Sequence, residues 1–253
     1  MKFSLKKNVL EEKSEKSIIR NKVLLIWGSQ NVGKSVIATF LAKELAKKHK
    51  DKNIALLYTE EHLPIIPCFF PDKKLDNVES LGVFYTPVNI SKNFLLENLT
   101  TVKGINNLAV LGFLKREHFA MYPSIKDTLI EQLFRRLKEE FDFIIIDGAT
   151  FFQGNQLTFQ GFDFADIHLK VIENDIKSLS YFSSAENFLQ SVGHKMKNTK
   201  VILNKGRSEV YNNADFVIDF SDEVYENCKM GDIFKISDKK FLGNIDKIIK
   251  EVF

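Results

Sequence analysis

The stretch VLLIWGSQNVGKS, residues 23–35, decides the fold of this chain. Its first five residues are all apolar, which is typical of a short strand that is buried on both faces. The segment from Gly28 to Ser35 matches the pattern G-x-x-x-x-G-K-[ST] at every fixed position. Apolar residues then recur at steps of three and four, which predicts an amphipathic helix that begins at Lys34. The sequence therefore predicts a strand, a glycine-containing loop and a helix in direct succession.

This strand–loop–helix unit has the chemistry of a phosphate-binding loop. Its glycines allow successive main-chain N–H groups to face one anion, and the helix adds the positive end of its dipole. We expect Lys34 to reach the β- and γ-phosphates of a nucleotide and the Ser35 hydroxyl to coordinate Mg²⁺. The predicted nucleotide-binding residues of the loop are Gly28, Ser29, Gln30, Asn31, Val32, Gly33, Lys34 and Ser35.

A second apolar run ends in an acidic residue. The residues FIII at 143–146 precede Asp147, and the small residues GAT follow it. Beside a phosphate-binding loop, an aspartate at the end of a buried strand is the residue that holds Mg²⁺. The alternative is an ordinary aspartate that caps a turn at the end of the strand. We predict one magnesium site formed by Ser35 and Asp147, which phosphate oxygens and water complete.

The rest of the chain alternates between predicted strands and helices. Strands are expected at 54–58, 82–85 (weak), 108–111, 167–172, 200–204 and 216–218. Helices are expected at 91–99, 125–137, 176–189 and 242–253. This alternation predicts a doubly wound α/β fold of the P-loop NTPase type, with a mostly parallel sheet and helices on both faces. We expect residues 1–20 to form a tail or a surface helix and residues 21–253 to form a single domain.

The composition excludes several classes of protein. Hydrophobic residues make up 44% and charged residues 27% of the 253 residues, which argues against wholesale disorder. The formal net charge of +3 is too small for a dedicated nucleic-acid coat, and no apolar run approaches the roughly 20 residues that span a bilayer. Only Cys68 and Cys228 carry thiols, and the charged N-terminus has no apolar core like that of a signal peptide. A cytoplasmic protein is expected.

With these motifs placed, the chain resembles the ParA/MinD family of P-loop ATPases from about residue 21 to its end. FDFIIIDGAT at 141–150 is similar to the family's second switch segment, and KVILNK at 200–205 is similar to its base-recognition strand. The resemblance also extends over ADIHLKVIENDIKSLSYF and DFVIDFSDEVYENCKMGDIF, at 165–182 and 215–234. It implies that the ligands are ATP or ADP with Mg²⁺ and that the side-chain amide of Asn204 contacts adenine. Within the family, the segment FFP and the compact layout most resemble the TadZ/CpaE-like pilus-assembly branch.

Two positions depart from the family pattern. Family members have a second lysine just after the first glycine of the loop, and it contacts the nucleotide of a partner subunit; here that residue is Ser29. They also have an aspartate at the end of the second strand that positions the attacking water. Here Thr59 stands at that position and is followed by Glu60 and Glu61. The resemblance implies that Lys34, Asp147 and one of these glutamates are the catalytic residues; without such a glutamate, hydrolysis is slow or absent.

Three functions remain as hypotheses. The first is a switch ATPase with slow or partner-stimulated hydrolysis, which acts in the localisation or assembly of a pilus, secretion, conjugation or partition machine. The second is a scaffold that binds nucleotide without turnover. The third is a small-molecule kinase of the P-loop class, which needs a mobile basic lid that the sequence does not convincingly provide. The first two imply a protein partner or a homodimer.

Two surface features bear on other partners. The C-terminal helix has one apolar stripe, formed by Leu242, Ile245, Ile248, Ile249 and Val252. MinD-like proteins bind membranes through such a helix, which implies a peripheral location at the inner membrane face; the alternative is a helix that packs on its own sheet. A basic group either contacts DNA phosphates or forms a solvated face. Its members are Lys195, Lys197, Lys200, Lys205 and Arg207.

Overall fold

The computed structural model describes residues 21–152, 154–194, 196, 198–206 and 213–253. The predicted tail or surface helix at 1–20 lies outside these residues and stays a prediction. The strands are β1 (Lys22–Gly28), β2 (Ile54–Tyr58), β3 (Leu75–Asp76), β4 (Thr100–Val102), β5 (Ile105–Leu111), β6 (Phe143–Asp147), β7 (Ile167–Ile172), β8 (Thr199–Asn204) and β9 (Phe216–Ile218). The helices are α1 (Lys34–Lys48), α2 (Ile66–Phe69), α3 (Lys92–Glu97), α4 (Asp127–Glu140), α5 (Gln156–Phe164), α6 (Ile176–Ser191), α7 (Asp222–Lys229) and α8 (Lys239–Val252).

Within the described residues, the nine strands form one sheet in the order β3-β4-β5-β2-β6-β1-β7-β8-β9. The seven strands from β5 to β9 in this order pair in parallel, and only β3 and β4 at one edge pair antiparallel. The prediction of a mostly parallel, doubly wound α/β sheet is confirmed. Because parallel strands all end at the same edge, the loops after β1, β6 and β8 meet there, where ligands bind in such sheets.

Strand β1 explains why the first five residues of the decisive stretch are all apolar. Leu24 and Ile26 point into a core that also contains residues of α1 and α8. Leu25 and Trp27 point into the opposite core, which contains residues of α4, α5 and α6. On both faces of this strand, the side chains of residues 23–27 are at most 1% exposed. A central strand that is covered on both sides has no position for a polar side chain.

The C-terminal helix α8 packs on the protein's own sheet. The apolar residues Ile245, Ile248, Ile249 and Val252 are buried in the core between α8, α1 and the sheet. The ammonium of Lys22 donates to the carbonyls of Val252 and Phe253, at 3.1 and 3.0 Å, and so caps the end of the helix. The structure therefore has the alternative arrangement, in which the helix packs on its own sheet. The apolar stripe that a membrane would contact is covered by the core. No helix among the described residues is long and apolar enough to cross a membrane.

The predicted weak strand at 82–85 is wrong, because this segment is a 3₁₀ helix, Leu81–Tyr85. The hydroxyl of Ser80 accepts a hydrogen bond from the N–H of Gly82 and so caps the helix. Gly82 also lies against the ring of Tyr122, where a β-carbon would come within 2.1 Å of the ring. The sequence did not predict the helices α2, α5 and α7 or the edge strands β3 and β4 either. The helices and longer strands that it did predict are all present.

Candidate nucleotide-binding site

The loop between β1 and α1 has the shape of a phosphate-binding loop. Gly33 adopts a left-handed conformation with φ of 86°, and a β-carbon there would lie 2.4 Å from the side-chain nitrogen of Asn204. At Gly28, a β-carbon would lie 2.3 Å from the carbonyl oxygen of Val171 on β7. Both fixed glycines of the motif are therefore required by their neighbours. Helix α1 begins directly after the loop, with the N–H of Ile37 donating to the carbonyl of Gly33.

The ammonium of Lys34 is held within the site. Its Nζ donates to the carbonyl oxygen of Ser29 at 2.9 Å and to the hydroxyl of Thr150 at 2.8 Å. Burial lowers the pKa of Lys34, while the charges of Asp147 and Glu60 act to raise it. The lysine therefore connects the phosphate-binding loop to the loop after β6, and it adds a positive charge where phosphate oxygens would bind.

The carboxylate of Asp147 lies at the end of β6, in register with Ile26 of β1, and is only 2% exposed. Its Oδ1 has no hydrogen-bond partner among the described residues. Burial raises the pKa of Asp147 to about 6, although a hydrogen bond with Ser35 and the charge of Lys34 both act to lower it. A buried carboxylate oxygen without a partner, next to a serine hydroxyl, provides the oxygen ligands that Mg²⁺ prefers. The residues present fit the metal, and the structure brings the two predicted ligands together.

A cavity of about 470 Å³ opens in front of these residues. Its lining includes six of the predicted site residues: Gln30, Asn31, Lys34, Ser35, Glu60 and Asp147. Thr150, Phe151 and Leu63 line the same cavity, and the side chains of Phe151 and Leu63 are exposed. None of these three was predicted as a nucleotide-binding residue, and the interpretation of Phe151 as a core residue is wrong, because its side chain is exposed. Only the position of Thr150, three residues after Asp147, was a signal that it would reach the site.

The two candidate glutamates occupy different places. Glu60 lines the cavity, and its Oε1 accepts a hydrogen bond of 3.1 Å from the N–H of His62. Glu61 accepts a hydrogen bond of 2.6 Å from the hydroxyl of Tyr85 and is not part of this lining. Burial raises the pKa of Glu61, and the hydrogen bond from Tyr85 acts to lower it. Of the two, Glu60 is the one whose charge acts on Lys34 and Asp147.

Thr59, at the position where an aspartate was expected, is fully buried behind the cavity. Its hydroxyl donates to the carbonyl of Asp147 at 2.8 Å and accepts from the N–H of Ala149 at 3.0 Å. The hydroxyl of Thr158 lies 2.6 Å away, and the side chain of Asn155 donates to the carbonyl of Thr59. Thr59 thus fastens the loop after β2 to the loop after β6. The spacing Asn155-x-x-Thr158 is a helix-capping signal that the sequence analysis did not use.

Ser29, at the position of the family's additional lysine, points into the protein. Its hydroxyl lies 2.8 Å from that of Ser178 on α6, and Ser29 is only 7% exposed. The Ser178 hydroxyl also accepts from the N–H of Glu173 at the end of β7. The first half of the phosphate-binding loop is therefore attached to the segment between β7 and α6.

A second cavity, of about 430 Å³, lies beside the same loop and contains Asn204. The side-chain amide of Asn204 donates to the carbonyl of Val32 at 2.7 Å. The walls of the cavity are mostly apolar and aromatic, which suits a nucleobase. They include Val36, Ile37, Phe220, Val224, Tyr225 and Phe241. The contact of Asn204 with adenine stays a prediction. The residue contacts the phosphate-binding loop and lines the cavity that suits a base.

The described members of the predicted basic group are paired with acids. Lys200 binds Asp215 at 2.9 Å, and Lys205 is paired with Glu173. Lys195, Lys197 and Arg207 lie outside the described residues. The DNA-binding alternative thus gains no support from the two lysines that the structure describes, because their charges are already neutralised.

Comparisons with known proteins place this geometry among ATPase folds. No protein-family model matches the sequence, and no curated protein matches it. The structure is similar to the septum site-determining protein MinD from Pyrococcus horikoshii complexed with Mg-ADP, with a TM-score of 0.70, 17% identity and coverage of 91% of this chain and 95% of that one. It is also similar to a ParA family ATPase from Chlorobium tepidum, with a TM-score of 0.74, 12% identity and coverage of 92% and 98%. A MinC:MinD cell division complex from Aquifex aeolicus gives a TM-score of 0.64, 17% identity and coverage of 92% and 97%.

Proposed function

We propose that this chain, which has the fold of the MinD and ParA ATPases, binds ATP with Mg²⁺ and works as a nucleotide-dependent switch. One observation carries the proposal: Lys34, Ser35 and Asp147 line one cavity, and the buried Asp147 has an oxygen without a partner in the described part of the chain. A carboxylate in such a place is costly unless a cation completes its environment. The Mg-ADP in the Pyrococcus horikoshii MinD structure supports the same choice of ligands.

In this proposal, the loop and its lysine neutralise the triphosphate. Main-chain N–H groups of residues 29–35 surround the β-phosphate, and Lys34 moves from Thr150 to the phosphate oxygens. When bound, Mg²⁺ supplies the positive charge that neutralises the β- and γ-oxygens, and Ser35 and Asp147 hold it. The nucleobase occupies the apolar cavity beside Asn204.

Hydrolysis is the slower part of the proposed activity. Attack on the γ-phosphate needs a group that orients water, and Glu60 is the carboxylate on the cavity wall that is available for this role. Because the hydroxyl of Thr59 is bound to the loop after β6, it does not replace a water-positioning carboxylate. We therefore propose that a single chain turns over ATP slowly and that a partner which orders the loop around Glu60 stimulates it.

Binding and turnover are tested separately. Trp27 is the single tryptophan and lies directly before the loop, with its ring packed against Phe162 and Phe182 at 5.4 and 5.0 Å. Its fluorescence is a direct reporter for titrations with ATP and ADP, with and without Mg²⁺. We expect saturable binding that Lys34→Ala abolishes and that Lys47→Ala, on the exposed side of the same helix, leaves unchanged. Absence of ATP binding by the unaltered protein contradicts the proposal.

The second candidate is a scaffold that binds nucleotide without hydrolysing it. The observation in its favour is the fastening of Thr59 between β2 and β6, which removes the expected water-positioning side chain from the cavity. Steady-state phosphate release decides between the two functions. A rate that Lys34→Ala does not reduce favours the scaffold, whereas a rate that this change eliminates favours the ATPase.

The cellular role is proposed at a coarser level. Two of the similar structures are a septum site-determining protein and a cell division complex of MinD with MinC. These relatives support a role in localisation or partition, exercised through a protein partner or a homodimer. A pilus-assembly role of the TadZ/CpaE type stays a prediction. Size measurement with ADP and with a non-hydrolysable ATP analogue tests for a nucleotide-dependent dimer; an unchanged mass in both states argues against one.

A further inference from the structure

The crest of the phosphate-binding loop, residues 30–32, is held from one side by the ends of β7 and β8. Lys205, the first residue after β8, donates from Nζ to the carbonyl oxygen of Asn31 at 2.7 Å. The same ammonium forms an ion pair with Glu173, the first residue after β7. Asn204 donates to the next carbonyl of the loop, that of Val32, at 2.7 Å. Two successive carbonyls of the crest thus bind side chains from one strand end.

These contacts fix the direction of the loop's N–H groups. In a trans peptide unit the C=O group and the N–H group of the following residue point in opposite directions. A side chain that holds the carbonyl of Asn31 towards β8 therefore turns the N–H of Val32 away from β8. The carbonyl of Val32, held by Asn204, does the same for the N–H of Gly33. Anion binding depends on this shared orientation of successive N–H groups.

The crest needs an external contact to keep this shape. Asn31 has a φ of 63°, in the left-handed region that residues other than glycine adopt uncommonly, although asparagine does so more readily than most. Lys205 also has a positive φ, of 54°. Residues persist in this region when the surrounding structure determines their conformation. Here the Lys205–Asn31 hydrogen bond and the Lys205–Glu173 ion pair are the contacts that do so.

We propose that Lys205, neutralised by Glu173, is a positioning residue that keeps the N–H of Val32 directed at bound phosphate and thereby sets nucleotide affinity. The inference rests on the proposed function, because it concerns the same loop. In this proposal Lys205 acts through its hydrogen bond to Asn31 and not by contact with the phosphates. Glu173 is essential to this role, because the ammonium of Lys205 is held in one place by two partners, the carboxylate of Glu173 and the carbonyl of Asn31. The pair is half-buried, with side chains 35% and 24% exposed, so solvent weakens it only in part.

The test compares Lys205→Met with Lys205→Arg and Lys200→Met in the full chain. Methionine keeps the aliphatic stem and removes the donor, whereas arginine restores a donor. Lys200, on β8, is the matched control because it also forms an ion pair with an acid, Asp215, but does not contact the loop crest. If the binding-competent fraction of the loop falls to about one tenth, the apparent Kd for ATP·Mg²⁺ and for ADP·Mg²⁺ rises about tenfold. We expect this rise in Lys205→Met, near-complete recovery in Lys205→Arg and no change in Lys200→Met. Where turnover is measurable, KM rises and kcat stays constant.

Other outcomes overturn the inference. Unchanged affinity in Lys205→Met, or an equal loss in Lys200→Met, shows that the contact with Asn31 does not set affinity. The double variant Lys205→Met with Glu173→Gln is expected to bind as weakly as Lys205→Met alone, because the pair acts as a unit. If the loss of nucleotide affinity in the double variant is instead the product of the losses in the two single variants, Glu173 does not act through Lys205. If the unaltered chain binds no nucleotide, and Lys34→Ala behaves identically, the proposed function fails first and this inference falls with it.

Discussion

The hydroxyl of Thr59 donates a hydrogen bond of 2.8 Å to the main-chain carbonyl of Asp147 and so joins the loop after β2 to the loop after β6. The N–H of Ala149 donates to the same hydroxyl, and Thr158 supplies a second hydroxyl 2.6 Å away. Both loops, which line the cavity of about 470 Å³, belong to this buried network. If one loop moved alone, a hydrogen bond would break and leave a buried polar group without a partner. A displacement of one loop is therefore expected to move the other.

Removing this hydroxyl is expected to destabilise the protein. In Thr59→Val, the shape is kept but the bonds to Asp147 and Ala149 are lost, so the free energy of unfolding falls by about 1–3 kcal/mol. Chemical denaturation measures it. The matched control is Thr199→Val, because the buried hydroxyl of Thr199 has no partner in the described part of the chain. We expect the free energy of unfolding of Thr199→Val to be unchanged or higher. An equally unchanged free energy in Thr59→Val contradicts the prediction.

The two glutamates after Thr59 are expected to differ in catalysis. Glu60→Gln removes the carboxylate on the cavity wall, and the rate of phosphate release falls by about 10²-fold. Glu61→Gln changes a side chain that is bound to Tyr85, and the rate is kept. Phosphate release at saturating ATP·Mg²⁺ is the measurement. Equal rates in the two variants remove Glu60 from the site.

The carboxylate of Asp147 is expected to couple nucleotide binding to Mg²⁺. In the unaltered protein, ATP affinity increases when Mg²⁺ is added, because Ser35 and Asp147 hold the metal against the phosphates. In Asp147→Asn this increase disappears, whereas affinity without Mg²⁺ is kept or improved, since a buried negative charge near the phosphates is removed. Titrations with Mg²⁺ and with EDTA compare the two. A Mg²⁺ effect that persists in Asp147→Asn excludes this residue as a ligand.

The apolar stripe of α8 is expected to behave as core. Ile248 is fully buried, so Ile248→Ala lowers the free energy of unfolding by about 2–5 kcal/mol. Lys250→Ala, on the exposed side of the same helix, changes it by less than about 0.5 kcal/mol. Denaturation curves in the absence of lipid make the comparison. Equal stability of both variants supports a stripe that is free for a membrane.

A buried lysine far from the nucleotide site predicts a pH effect on stability. Lys43 is 3% exposed, with Nζ 4.3 Å from the centre of the Phe40 ring and 3.2 Å from the carbonyl oxygen of Ile233. Burial, and secondly the charge of Lys47, lower the pKa of Lys43 to about 8, although Glu44 and Asp232 act to raise it. The unfolded chain therefore holds this proton more tightly than the folded chain, so the contribution of Lys43 to stability increases as the pH rises above about 8.

The experiment compares how the free energy of unfolding changes with pH in the unaltered protein and in two variants. Between pH 7 and pH 9.5, the unaltered protein should gain about 2 kcal/mol of unfolding free energy relative to Lys43→Met. Lys250→Met is the control, because the side chain of Lys250 is exposed and its charge is not one of those that shift the pKa of Lys43, and it should keep the slope of the unaltered protein. Parallel curves for the unaltered protein and Lys43→Met would mean that Lys43 titrates as it does in water.

The parts of the site that the sequence predicted depend on local pattern and on one rule of sheet geometry. The strand, loop and helix between Val23 and Lys48 are adjacent in sequence, so apolar spacing and two glycines sufficed. The meeting of Ser35 with Asp147 followed because parallel strands end at one edge. Neither inference needed a specific contact between distant side chains.

The parts that were missed depend on such contacts. Helix α5 contains Gly161 and several aromatic residues, and its stability comes from the cap at Asn155 and the packing of Leu157 and Phe162 on the sheet. The bond from Lys205 to Asn31 joins residues that are 174 positions apart, and no local pattern announces it. The same holds for the segment at Leu81–Tyr85, where the ring of Tyr122 packs against Gly82 from a distant part of the chain.

The central place of β1 in the sheet has a consequence for synthesis on the ribosome. This strand emerges first among the nine described strands, yet its two neighbours, β6 and β7, lie 115 or more residues further along the chain. The nascent chain must carry an unpaired, wholly apolar segment at least until β6, Phe143–Asp147, has been translated. We expect chaperones that bind emerging hydrophobic strands to engage this protein at residues 23–27.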